Sequence, residues 1–161
     1  MEKNNKKGGS RMTRKMLITA LAVVLAAGVA WAAGKATAKE AKAMVEKAVA
    51  YYKANGQEKA FAEFNNPGGK FVDRDLYVWV TTMQGKVIAH GANEKLIGKD
   101  LYNLKDTDGK QFIKEIVDKA KVSNNGWVDY KWTNPVSKKV EQKSIYFEKF
   151  NNLVFVCGCY K

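Results

Sequence analysis

Few residues of this chain have the capacity for chemistry, and their spacing narrows it further. His90 is the one histidine among 161 residues, and Cys157 and Cys159 are the two cysteines. A single histidine excludes every metal motif built on two, the heme-attachment motif and the His-x-Glu deaminase signature. No nucleophile–base pair can be drawn, so hydrolase chemistry lacks support. Cys157-Gly158-Cys159 invites a redox reading. In a regular strand the two thiols share a face with Cα atoms about 6.5–7 Å apart, the far edge of disulfide geometry. A bend at Gly158 would close a strained, oxidising bond. Asp106-Thr107-Asp108-Gly109 with Glu115 imitates the middle of a calcium loop, but Leu104 stands where the first carboxylate belongs. What remains is recognition. Tyr77, Trp79, Tyr130 and Trp132, with a lysine nearby, offer the apolar walls and sparse polar tips of a small-ligand pocket. The plainer alternative is that these aromatics are ordinary core.

The elements that must position them follow from periodicity. Residues 35–55 read as one long helix, with Ala41, Met44, Val45, Ala48, Val49 and Tyr52 on one stripe and Gly56 as the stop. A short helix, 57–64, precedes the breaker cluster Asn65-Asn66-Pro67-Gly68-Gly69. Residues 77–82 and 87–90 form a hairpin. Residues 91–110 are irregular, a length that usually marks a functional segment or lid. Asp108 is expected to cap the next helix, whose stripe is Phe112, Ile113, Ile116, Val117 and Ala120. Strands at 127–133, 140–150 and 153–160 close the chain. The sum is α+β with a five-stranded antiparallel sheet. Strand alternation puts Val78 and Val80 on one face and Tyr77 and Trp79 on the other. The aliphatic face is expected to meet the long helix.

The first 32 residues read as an address rather than as fold. Lys3, Lys6, Lys7, Arg11, Arg14 and Lys15 face one acid, Glu2, before the apolar run from Met16 to Ala33. Ala30-Trp31-Ala32 is a small-x-small cleavage site, and the three parts together describe a secretory signal peptide. The competing reading is an uncleaved anchor. Either way residues 35–161, the single domain, are expected outside the cytoplasm. The formal charge of +12 drops to +7 once this segment, with six bases and one acid, is removed. Such a charge favours anions, but export makes nucleic acid an improbable partner.

The strings Asp75-Leu76-Tyr77-Val78-Trp79-Val80 and Gly85-Lys86-Val87-Ile88-Ala89-His90-Gly91 resemble the first hairpin of the single Cache domain, type 2. Leu96-Ile97-Gly98-Lys99-Asp100-Leu101 and Leu104 to Lys110 resemble its crossover. Gly126 to Trp132, Pro135 and Lys143-Ser144-Ile145-Tyr146 resemble its later strands. Their order and spacing are specific, and the resemblance covers residues 38–161. It implies a PAS-like extracytoplasmic sensor fold that binds small molecules, often short organic acids, between sheet and crossover, with no cofactor and no catalysis. Carried over by motif position, Tyr77, Trp79, Tyr130, Trp132, His90 and Lys143 belong to that pocket, and Tyr146 is grouped with them. Arg74 is a doubtful match for the arginine that many such receptors place near the ligand carboxylate, so a lysine would have to serve. The chain is expected to be a stand-alone binder, exported to the periplasm, that hands its signal to a membrane receptor or sensor kinase. A homodimer through the N-terminal helix is a further expectation. The rival reading is an accessory protein that docks a receptor and holds no ligand.

Overall fold

The computed structural model describes residues 34–161, so the targeting segment lies outside the described residues. Helix α1 spans Ala38–Asn55 and starts three residues later than its composition suggests. The reason is a capping box: Thr37 Oγ1 accepts from the Glu40 N–H at 3.3 Å, while Glu40 Oε2 accepts from the Thr37 N–H at 2.7 Å. Ala41, Val45, Ala48 and Val49 form the buried stripe. Gly56 ends the helix at φ +77°, and its N–H donates to the Tyr52 carbonyl. Helix α2 spans Gln57–Phe64.

A two-residue pair, β1 (Val72–Asp73) and β2 (Leu76–Tyr77), precedes the main sheet. Strands β3 (Trp79–Thr82), β4 (Val87–His90), β5 (Asn125–Thr133), β6 (Val140–Phe150) and β7 (Leu153–Tyr160) then form one antiparallel sheet in the order β4-β3-β7-β6-β5. This is the five-stranded α+β architecture read from the sequence. The two halves of the β3–β4–β7 and β5–β6–β7 meanders meet at β7, which therefore lies at the centre.

The two faces bury different cores. Under α1 lie Val78, Val80, Phe155, Cys157 and Cys159, joined by Phe64 and Phe71. On the other face Tyr77, Trp79, Val128, Tyr130, Ile145, Phe147, Val154 and Val156 pack against α3, Phe112–Val122. Gly158 is required where β7 meets β6. A Cβ there would collide with Ile145 Cγ2 and stand 2.6 Å from the Ser144 carbonyl oxygen.

The crossover is held differently from expectation. Asp108 does not cap α3; the helix begins behind Gln111 with no side-chain cap. Asp106 instead gathers the loop. Its Oδ1 accepts from the Asp108 and Lys110 N–H groups, each at 2.9 Å, and its Oδ2 accepts from the Lys131 N–H on β5 at 2.9 Å. A carboxylate committed to three backbone donors is a structural anchor, which also removes Asp106 from any calcium reading. Asp108 reaches outward to Lys131 Nζ at 3.0 Å.

Arg74 sits at φ +56° in the β1–β2 turn. Its guanidinium bonds Glu40 at 2.6 Å and Asp73 at 2.8 Å, so the turn is clipped to the start of α1. Nearby, Asp75 Oδ1 accepts from the Ala36 N–H at 3.0 Å, and Lys35 Nζ donates to the Lys161 carbonyl at 2.7 Å.

Candidate ligand-binding site

Between the sheet and the crossover lies a cleft of about 280 Å³ measured out to its mouth. Tyr77, Trp79, His90, Tyr130 and Trp132 line it from the sheet, and Leu96, Leu101, Leu104 and Phe112 close it from the crossover and α3. Five of the seven candidate residues thus converge. Alternation explains why: β3 turns Trp79, and β5 turns Tyr130 and Trp132, to the face opposite α1. Phe112 stacks on Tyr130 with ring centres 4.0 Å apart and planes 4° from parallel. The side chains fill most of the cleft, leaving room for about one water.

Lys143 stands behind this wall. It is fully buried, with Nζ 3.8 Å from the Tyr77 ring centroid and 4.6 Å from that of Tyr160. Nζ donates to the Tyr160 hydroxyl at 3.3 Å, and that hydroxyl donates to the Thr133 carbonyl at 2.9 Å. Burial pulls the Lys143 pKa down to about 7, partly offset by the nearby Asp75 carboxylate. The Oδ2 of buried Asp75 has no hydrogen-bond partner among the described residues.

His90 is buried and stacks on Tyr77 at 5.0 Å. Its Nδ1 accepts from the Ala92 N–H at 3.2 Å and the Asn93 N–H at 3.0 Å. Two donors aimed at Nδ1 put the ring proton on Nε2. Burial first, then the charge of Lys143, push its pKa down to about 3, so the ring is neutral and offers one N–H. Tyr77 and Tyr130 are pushed well above the ordinary phenol range by burial and remain donors.

Tyr146 is set apart. It faces α1: strand β6 turns Lys143, Ile145 and Phe147 one way and Tyr146 the other. Its ring packs on Trp127 at 5.2 Å with Lys42 above it. Tyr146 therefore lies outside the cleft, in the core under α1. Arg74 is also remote from the cleft, its donors used on Glu40 and Asp73. The sequence reading missed Tyr160 and Phe112. Tyr160 shares β7 alternation with Val156 and pairs with Lys143 in register, a signal visible only once that register is known. Phe112 was visible as helix stripe but not as cleft wall.

The sequence profile described as Single Cache domain 2 matches residues 5–161. The chain belongs to this family. The Cache domain is similar to a solved methyl-accepting chemotaxis protein from Vibrio parahaemolyticus, at 28% identity and TM-score 0.65, over 76% of this chain and 86% of that one. It shares its fold with a Cache chemosensory domain that recognises carboxylic acid, at 24% identity and TM-score 0.59, over 76% of this chain and 86% of that one. The methyl-accepting chemotaxis protein McpP of Pseudomonas putida is 33% identical over 86 residues, 53% of this chain. The Cache domain spans only 16% of that relative's length. Sensor domains of chemoreceptors are thus its kin, and small-molecule recognition is the trade of the family.

Proposed function

We propose that this Cache domain binds a short organic acid and does not transform it. The observation that carries the reading is the buried Lys143, its Nζ 3.8 Å behind the ring of Tyr77 in the cleft wall. A buried cation with one hydroxyl partner is costly unless an anion completes it. A carboxylate entering beside Tyr77 feels that charge across the ring, in a dry site where attraction is strong. The Nε2–H of His90 supplies a neutral donor, and the aromatic walls take the hydrocarbon tail. One buried lysine favours one carboxylate over two. The cleft is tight, so binding requires the crossover side chains Leu101 and Leu104 to give way.

Export, release of the first 32 residues, residence in the periplasm and signalling through a membrane receptor or sensor kinase belong to the same proposal, as does dimerisation along α1. Calorimetric titration of the full chain with acetate, propionate, pyruvate and succinate, beside glycine and a simple amine, tests it. Saturable heat with the monocarboxylates that is lost in Lys143→Met supports the reading. Heat from none of them removes it.

One observation favours a second reading, an accessory protein without a ligand: the stacked Phe112–Tyr130 pair and its neighbours already fill most of the cleft. A flat titration together with recovery of a membrane receptor by crosslinking would establish it.

A further inference from the structure

On the face of the sheet away from the cleft, beneath α1, two sulfur atoms meet, and a third, Cys159 Sγ, leaves the same face of β7 against the Ser144 carbonyl at 3.9 Å. Cys157 Sγ lies 3.6 Å from Met44 Sδ. Cys159 follows two residues along β7, so its thiol leaves the strand on the same side. Both cysteines are free and belong to the cluster packed under α1. Cys157 is fully buried, Cys159 is 6% exposed, and Met44 is half-buried on the flank of the helix.

We propose that Met44, Cys157 and Cys159 form a binding site for a soft monovalent metal ion, Cu(I) or Ag(I), held by two thiolates and one thioether. Two sulfurs on one three-coordinate ion, each at a bond length of about 2.3 Å, stand about 4 Å apart at a trigonal angle. The pair Cys157–Met44 is already close to that spacing. Thiolate and thioether donors select Cu(I)-like ions over harder ones. Zinc would want further nitrogen or oxygen donors, and among the described residues no group of three or more His, Cys, Asp and Glu could hold a metal. Met44 can close on the ion without moving the helix, because its side chain has three rotatable bonds. The flank at Met44 and Cys159 is the way in.

Binding balances as a proton exchange. Both cysteines are free and buried, so they enter as S–H. The ion forms two metal–thiolate bonds and one dative thioether bond, and two protons leave to solvent. No electron moves, and no oxidant is needed. The site lies on the opposite face from the proposed carboxylate cleft and stands independently of it.

The test is an anaerobic titration of the full chain with Cu(I) buffered by bicinchoninate, repeated with Ag(I). The expected result is one ion withdrawn per chain, two protons released per ion, and a higher melting temperature with metal. Cys159→Ala is expected to weaken binding by more than about 100-fold, since outer-shell changes alone cost about 10–100-fold. Met44→Leu is expected to weaken it about tenfold while leaving the melting temperature of the metal-free protein near its starting value. Cys157→Ala should abolish it, and if that variant does not fold the other two decide. Failure to withdraw the ion overturns the proposal. So does unchanged affinity in both Cys159→Ala and Met44→Leu. A melting temperature that falls with metal also overturns it, because the thiols are then captured only in the unfolded chain.

Discussion

The ammonium of Lys143 lies 3.8 Å from the ring centroid of Tyr77. A cation over an aromatic face is attracted by the ring quadrupole, and more so when dry. That contact repays only part of the desolvation of a fully buried charge.

The pH dependence of stability follows. Lys143 has a pKa of about 7 when folded and about 10.4 when unfolded. Between those values the unfolded chain holds a proton that the folded one has released, so stability rises with pH. From pH 6 to 8 the melting temperature should climb. Lys143→Met should flatten the climb and raise stability near pH 6, where the folded protein still carries the buried charge. A differential scanning series over that window checks both. Above pH 8 the raised cysteine pKa values work in the opposite sense, because the unfolded thiols ionise first.

His90 governs a lower window. With a folded pKa of about 3 against about 6.5 unfolded, it makes stability fall as pH drops from 6.5 towards 3. A proton on Nδ1 would face the two N–H groups of Ala92 and Asn93. Unfolding at pH 5 should take up about one proton fewer in His90→Asn than in the native chain. Melting at several pH values measures that slope.

Ligand binding should share the sign of the Lys143 charge. Affinity for propionate, whose carboxylate is fully ionised above pH 6, should decline from pH 6 to 9 as the lysine empties. Trp79→Ala and Tyr130→Ala should abolish the ligand-induced rise in melting temperature, while Lys105→Ala, on the exposed part of the crossover, should leave it intact. The aromatic truncations cost about 3–5 kcal/mol of stability, so Trp132→Ala, at a half-buried position, provides a gentler check by calorimetry. Equal affinity in every variant would remove the cleft from the argument.

Asp106→Ala should loosen the crossover without opening the sheet. It strands the N–H groups of Asp108, Lys110 and Lys131, at about 1–3 kcal/mol for a buried group and less where water replaces the partner. Hydrogen exchange should quicken at Lys110 and Lys131 before it changes in β6 and β7. Calcium should have no effect on either rate.

Gly158→Ala should cost about 1–3 kcal/mol or more, because the added methyl meets Ile145 and the Ser144 carbonyl at the β6–β7 seam. A urea melt would show the midpoint shift.

Much of this was legible in the sequence because the signals are local. The stripe on α1, the breaker cluster before β1, and the alternation of Val78 and Trp79 each need only a few neighbouring residues. The bounds of β6 and β7 and the faces of β3 and β5 follow the same way. What escaped depends on contacts distant in the chain. Tyr160 joins Lys143 only through the β6–β7 register. The β1–β2 pair is two residues long on each side, too short for a period to show. Asp106 and Asp108 are interchangeable as cap or calcium ligand on composition, and only the position of β5 decides that Asp106 takes the backbone donors. Tyr146 lies on the other face of β6 from Lys143, as strand alternation requires.

Strand β7 belongs to both cores at once. Tyr160 points to Lys143 behind the cleft wall, while Cys157 and Cys159 belong to the core under α1, Cys157 against Met44. The partition between the two chambers is therefore a single peptide thick. A tilt of that strand to admit a guest on one side is already a change of fit against the helix on the other, with no relay of intermediate residues to carry it. The sheet works as a membrane works in a drum, where one skin is the wall of both spaces.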